Sequence, residues 1–148
     1  MTTPAASTCA AGTLRRATRS IARLYDGHLA RAGLTTTQFS LLVALERRAK
    51  PAPLSELAAE QVFERTSLYR ALEPLERDGL VAFTAGTGRS KEVRLTAKGV
   101  RRIAEARPHW QEAQSAFLAK FGRSGWNTLA KQLGAIVEVA RELPAATE

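Results

Sequence analysis

Residues 54–99, Leu54 through Gly99, read LSELAAEQVFERTSLYRALEPLERDGLVAFTAGTGRSKEVRLTAKG, and the hydrophobic period changes within them. Leu54, Leu57 and Ala58 share one face of a helix running to about Gln61. Val62-Phe63-Glu64 interrupts that pattern and predicts a turn whose apolar pair packs between the two flanking helices. From Arg65 to Asp78 the helical period returns, with Leu68, Leu72 and Leu75 at spacings of four and three. Pro74 lies inside this second helix and cannot donate to the carbonyl of Arg70, which predicts a kink, and Gly79 ends it. Leu80–Thr84 and Lys91–Leu95 read as strands, the second alternating Val93 and Leu95 with charge. Between them AGTGRS, residues 85–90, has the small and glycine-rich composition of a hairpin tip.

A helix, a tight turn, a second helix and a hairpin, in this order, predict a winged helix-turn-helix, which sets its second helix in a DNA major groove. The base-reading end of that helix is its N-terminal part, here Arg65, Thr66, Ser67, Tyr69 and Arg70. Arg65 or Arg70 can grip guanine through two hydrogen bonds, and Thr66 and Ser67 can bond bases or phosphates. Tyr69 can reach a phosphate or a thymine methyl. Glu73, Glu76 and Asp78 lie toward the other end, away from a polyanion. The wing is basic: Arg89, Lys91, Arg94, Lys98, Arg101 and Arg102 stand against Glu92 alone. Arg89 at the tip, with Ser90 beside it, suits a minor groove, and Lys91 and Arg94 suit flanking phosphates.

Outward from this module the chain is helical. Upstream, Thr35-Thr36-Thr37-Gln38 matches a capping box, with Leu34 and Phe39 placed as its hydrophobic staple. The helix that follows carries Phe39, Leu41, Leu42, Val43 and Leu45 with little polar surface, so it is core; Lys50-Pro51-Ala52-Pro53 stops it near Arg48. Before it, a first helix is expected over Thr13–Ala32, with Leu14, Ala17, Ile21, Leu24 and Leu29 on one stripe, Arg15, Arg16, Arg19 and Arg23 elsewhere, and Gly33 closing it. Residues 1–12 are expected to form a flexible arm.

Downstream, Thr96 caps a long helix from about Ala97, with Ile103, Ala106, Trp110, Ala113, Phe117 and Phe121 recurring at spacings of three and four, in which Arg107-Pro108 predicts a bend or a split. Gly122 stops it, and Ser124 is placed to cap a last helix with Trp126, Leu129, Leu133, Ile136, Ala140 and Leu143 on one stripe. A chain this small cannot cover both terminal stripes by itself, and exposed stripes of that size mark an interface. The reading is a mainly α (α+β) chain with a small β-hairpin wing. Residues 35–96 form the DNA-binding lobe, and residues 13–34 with 97–148 form a helical dimerisation lobe, with Leu14, Ile21, Trp126, Leu129, Leu133, Ile136 and Leu143 in the homodimer interface.

Composition agrees with this reading. With 148 residues and 45% hydrophobic content the chain can bury one core, and its formal charge of +8 favours a polyanionic partner, double-stranded DNA first. A single cysteine excludes an internal disulfide and a multi-cysteine zinc site, and no apolar run is long enough to span a membrane. The N-terminus lacks the basic-then-apolar pattern of a secretory signal, so a cytoplasmic protein without metal or cofactor is expected, nucleoid-associated when bound to DNA. An enzyme is not expected. His28 and His109 lie far apart on predicted helices, and residues 86–91 lack the spacing of a phosphate-binding loop and lead into a strand. A winged helix used as a protein-interaction module is the other class weighed, separable by the salt dependence that DNA binding carries.

The segment LTTTQFSLLVAL, the pair SELA and RTSLYRALEPLERDGLV, and VRLTAKG closing the wing together resemble the MarR family of bacterial transcription regulators, over Leu14 to Leu143. The resemblance implies a homodimer joined by helices from both chain ends, which represses from palindromic operators, stress responses among them, and is released by small aromatic or phenolic anions bound between the lobes. Two positions depart from the family pattern. Thr87-Gly88-Arg89 stands where the wing usually has Asp-x-Arg, so the arginine is kept and the carboxylate is not. Peroxide-sensing members resembling OhrR place a reactive cysteine three residues before the leucine matching Leu14. Ala11 holds that place, with Cys9 two residues earlier as the candidate thiol sensor; Tyr25 matches a supporting tyrosine and Thr36 replaces a second.

Overall fold

The computed structural model describes residues 9–88 and 90–144. Its elements are α1 (Ala10–Leu29), a short 3-10 turn (Ala30–Ala32), α2 (Thr36–Glu46), β1 (Ala52–Pro53), α3 (Leu54–Gln61), α4 (Arg65–Arg77), β2 (Val81–Ala85), β3 (Lys91–Leu95), α5 (Ala97–Phe121) and α6 (Arg123–Glu142). The chain is mainly helical with one small antiparallel sheet, a winged helix-turn-helix arrangement. It divides into two compact units, one through Gln111 and one from Glu112.

The first unit is built around α2. Thr35 and Gln38 form the reciprocal capping box, the threonine hydroxyl accepting from the Gln38 N–H at 3.2 Å and the Gln38 side chain from the Thr35 N–H at 3.0 Å. Leu34 and Phe39 beside it are both buried, as a staple requires. Leu41, Leu42, Ala44 and Leu45 leave α2 almost no polar side, so it is enclosed by neighbours. Leu57 and Ala58 of α3, Leu68, Leu72 and Leu75 of α4, Leu80, Val81, Val93 and Ile103 complete the core. Each fully buried leucine contributes about 1.5–3 kcal/mol of transfer free energy.

The sheet orders as β1-β3-β2, with β3 central. β2 and β3 pair from Val81↔Leu95 to Ala85↔Lys91, forming the wing. The third strand was not foreseen: Ala52 and Pro53 pair with Val93 and Glu92, although the Pro-Ala-Pro segment reads only as a helix stop. Proline is tolerated there because β1 is an edge strand.

Several expectations are corrected. α1 begins at Ala10, not Thr13, because the Cys9 sulfur accepts the Gly12 N–H at 3.4 Å and caps the helix; residues 1–8 of the expected arm lie outside the described residues. α5 runs unbroken through Pro108, so it is not split: the proline forgoes one backbone bond that the surrounding turns outweigh, as Pro74 does inside α4. Ser124 does not cap α6. Gly122, at φ 96°, holds the cap position, while the Ser124 carbonyl accepts from the Thr128 hydroxyl at 3.2 Å inside the helix. Val62 is not packed between helices but 65% exposed, in left-handed backbone at φ 57° that turns its side chain outward.

In the second unit the Phe117 and Phe121 rings stack at 5.2 Å, and Trp126 meets Phe117 edge-on at 5.5 Å. No residue of α6 is buried. No helix among the described residues is long and apolar enough to cross a membrane.

Candidate nucleic-acid interface

The second helix of the helix-turn-helix, α4, is held by its inner face. Leu68, Leu72 and Leu75 are fully buried, which leaves Arg65, Thr66, Ser67 and Arg70 exposed on the opposite side of its first two turns. No side chain caps its N-terminus: Glu64 holds the cap position without a side-chain hydrogen bond. The first-turn N–H groups and four hydroxyl or guanidinium side chains therefore converge on one exposed end, a donor-rich surface with positive helix-dipole character. At the other end the Lys98 ammonium donates to the Asp78 carbonyl at 2.7 Å, where a cation complements the helix C-terminus. Lys98 thus anchors α4 and is not a spare cation of the wing.

Tyr69 behaves differently from its neighbours. It is half-buried, its ring stacks on Phe83 of β2 at 5.5 Å, and the Lys91 ammonium sits 5.4 Å from the ring centroid. The aromatic pair and the cation couple the recognition helix to both wing strands. The side-chain period of α4 identifies Tyr69 as polar-facing but cannot identify its partner, which comes from another element.

At the wing tip the Gly86 N–H donates to the Ser90 carbonyl at 2.8 Å, and the Ser90 hydroxyl donates to the Thr87 carbonyl at 2.7 Å. Gly88 takes φ 70°, a conformation glycine adopts freely. Ser90 therefore supplies a side-chain tie inside a tip that lacks the usual carboxylate. Arg89 lies outside the described residues. Arg94 pairs with Ala82, one step from the base of the hairpin, so it is not near the tip.

Behind the recognition helix, the Arg48 guanidinium binds Glu56 at 3.2 Å and Glu60 at 2.5 Å, tying the end of α2 to α3. The hydrogen bond from Arg48 holds the Glu60 carboxyl below its ordinary value, against the smaller opposing effect of burial. Arg107 of α5 pairs with Glu46 of α2 at 2.9 Å. Between these helices and the end of α3 lies a cleft of about 300 Å³, walled by Phe39 and Trp110 with their ring centroids 6.3 Å apart, and edged by Ser40, Arg47, Gln61 and Arg107. Sequence reading placed Trp110 in the apolar stripe of its helix and missed this cleft, because its two cations and two rings come from separate helices.

The residues assigned to a dimer interface fall into two groups. Leu14, Ile21, Trp126, Leu129 and Leu133 are half-buried, while Ile136 and Leu143 are 44% and 64% exposed, with Val139 at 54% beside them. Cys9 and Tyr25 are separated by sixteen residues of α1, about 24 Å, so the tyrosine of the same chain does not reach the thiol. Tyr25 is buried, and burial pushes its phenol up from its ordinary value. Among the described residues no cluster of three or more His, Cys, Asp or Glu is arranged to hold a metal.

No family model matches the chain, and no curated protein matches it. Solved structures do. The transcriptional regulator MosR of M. tuberculosis, crystallised in complex with DNA, is 38% identical, covering 90% of this chain and 97% of its own, with a TM-score of 0.82. A transcriptional regulator (MarR family) from Rhodococcus sp. RHA1 is 21% identical over 91% of this chain and 96% of its own, at a TM-score of 0.79. CouR from Rhodococcus jostii RHA1, bound to p-coumaroyl-CoA, is 21% identical over 99% of this chain and 100% of its own, at 0.77.

Proposed function

The chain belongs to the MarR family of transcriptional regulators, and from that premise we propose that it acts as a homodimeric repressor on a palindromic DNA operator. It is a DNA-binding transcriptional regulator; its structural relatives are regulators and not enzymes. The observation that carries the finer reading is the exposed N-terminal end of α4, where Arg65, Thr66, Ser67 and Arg70 surround an uncapped helix start on a rigid apolar base. In this reading Arg65 or Arg70 reads guanine, Thr66 and Ser67 take bases or phosphates, and the wing follows the adjacent backbone through Arg89 and Lys91. Two such helices about 34 Å apart span one turn of DNA, which requires a dimer and a two-fold operator.

The effector is assigned to the Trp110 cleft as a small aromatic anion. Trp110 and Phe39 offer faces for a ring, and Arg47, which makes no ion pair among the described residues while Arg107 is held by Glu46, offers charge for a carboxylate. The cleft touches Gln61 at the last turn of α3, immediately before α4, so an occupant acts on the spacing of the recognition helices by its differential affinity for two dimer states.

Selection of bound duplexes from a random-sequence pool, followed by anisotropy titrations of the winning site, tests the reading. The selected site should be palindromic, affinity should fall steeply with salt, and Arg70→Ala should lose about 1–3 kcal/mol of discrimination at one base pair. Salicylate, used as the probe, should weaken binding in wild type but not in Arg47→Ala. No enriched site, or an Arg70→Ala protein with wild-type affinity and specificity, overturns the DNA assignment.

A further inference from the structure

We propose that the groove beneath the loop at residues 47–51 binds a small amphiphilic anion, a carboxylate with an apolar body, at a site separate from the Trp110 cleft. The groove has a volume of about 330 Å³ and runs between that loop, β3 and the start of α5. It exists because β1 is so short. β1 meets β3 only at Ala52↔Val93 and Pro53↔Glu92, and Pro51, which has no N–H to donate, leads the chain away. The edge of β3 at Arg94 and Leu95 is left uncovered by a third strand, and the space beside it is the groove.

Its lining combines apolar and charged residues. Leu45, Pro51, Leu95 and Val100 form the walls, and Val100 is 48% exposed, a large aliphatic side chain that the fold leaves facing water. The charges at the rim do not balance. Glu46 is held by Arg107, and Arg48 is held by Glu56 and Glu60. That leaves Lys50 and Arg94, both exposed and neither with an ion-pair partner among the described residues.

Two cations that make no ion pair among the described residues, beside an apolar wall, favour an anion that carries hydrocarbon. The planar Arg94 guanidinium can take both oxygens of a carboxylate, Lys50 supplies a second positive charge, and the apolar walls that include Val100 receive the body. A bare anion gains only the charge, and an amphiphilic cation is repelled. The occupant would bridge the loop after α2, the central wing strand and the start of α5, clamping the wing at its base. Its effect on DNA binding rests on the regulator reading above; its binding does not.

Amide chemical shifts of the full ¹⁵N-labelled chain, titrated without DNA, test the site with octanoate, octylammonium and acetate as probes. Octanoate should move the amides of Ala49, Lys50, Arg94, Leu95 and Val100, while octylammonium and acetate leave them in place. Lys50→Glu and Val100→Asp should each weaken octanoate binding at least tenfold, with the rest of the spectrum unchanged. If Val100→Asp fails to fold, Lys50→Glu, an exposed loop substitution, carries the test alone. Octanoate shifts confined to the surroundings of Trp110, equal shifts with acetate or octylammonium, or undiminished binding to Lys50→Glu would each overturn the proposal. None of these outcomes bears on whether the chain binds DNA.

Discussion

Gly99, in the first turn of α5, lies directly against the base of the wing. A β-carbon there would sit 2.2 Å from the Leu80 carbonyl oxygen and 2.6 Å from the Leu95 side chain. The same turn is fastened by Thr96, whose hydroxyl donates to the Gly79 carbonyl at 2.6 Å and accepts the Gly99 N–H at 3.0 Å. Gly99→Ala should therefore cost at least about 1–3 kcal/mol, the range for overpacking, since a backbone carbonyl cannot swing aside. Gly27, whose β-carbon position is open, gives the contrast: Gly27→Ala should stabilise by about 0.5–1 kcal/mol through helix propensity. Urea unfolding of the two variants measures both; a neutral Gly99→Ala would mean that the wing base is looser than its geometry. Tyr69 separates contact from support in a similar way. Because its ring is held by Phe83 and Lys91, Tyr69→Phe should keep operator affinity within about twofold while Tyr69→Ala loses tenfold or more. Equal losses in both would assign the hydroxyl to the DNA instead.

At the scale of elements, the helix-turn-helix is seated by polar ties as well as by its leucines. Arg48 joins α2 to α3 through Glu60 and Glu56, and its hydrogen bond depresses the Glu60 carboxyl. A group whose value is lowered in the folded state stabilises above its unfolded value and loses that contribution as the pH falls through its folded value. Glu60 is 45% exposed, so solvent screening limits the effect to a few tenths of a kcal/mol. Wild type should exceed Glu60→Gln in stability by that amount at neutral pH, and the difference should vanish as the pH falls below the ordinary glutamate value of 4.5. Chemical denaturation at several pH values reads it, and a gap that widens in acid would contradict the pairing. The wing is the element whose support is least expected: a serine hydroxyl, in place of the family's carboxylate, ties its tip.

For the whole molecule the decisive feature is α6, twenty residues long with none buried. Ile136, Val139 and Leu143 keep 44–64% of their surface exposed, far more than an isolated chain gains from such a stripe. In the proposed homodimer, Ile136→Asp or Val139→Asp should shift the chain to monomers in sedimentation experiments while helical content persists. Variants that remain dimeric would move the interface elsewhere.

How much of this was legible beforehand follows from where each signal resides. The helices of the winged module, the capping box at Thr35, the pairing of the wing strands and the exposed end of α4 are written in local periodicity, so the order of residues determined them. Val62 escaped because burial was inferred from its apolar character, and only the left-handed turn decided which way it points. β1, the Tyr69–Phe83–Lys91 strut, the Trp110 cleft and the groove at Lys50 and Arg94 are different in kind. Each joins residues from elements distant in sequence, and periodicity describes the face of one element without naming its neighbour. The sequence by itself determined a winged helix-turn-helix with a donor-rich recognition helix and a basic wing. Only the packing of those elements decided which cations are already paired, which are left to meet an anion, and where the apolar surfaces stay open, because these depend on contacts that form between segments and not within them.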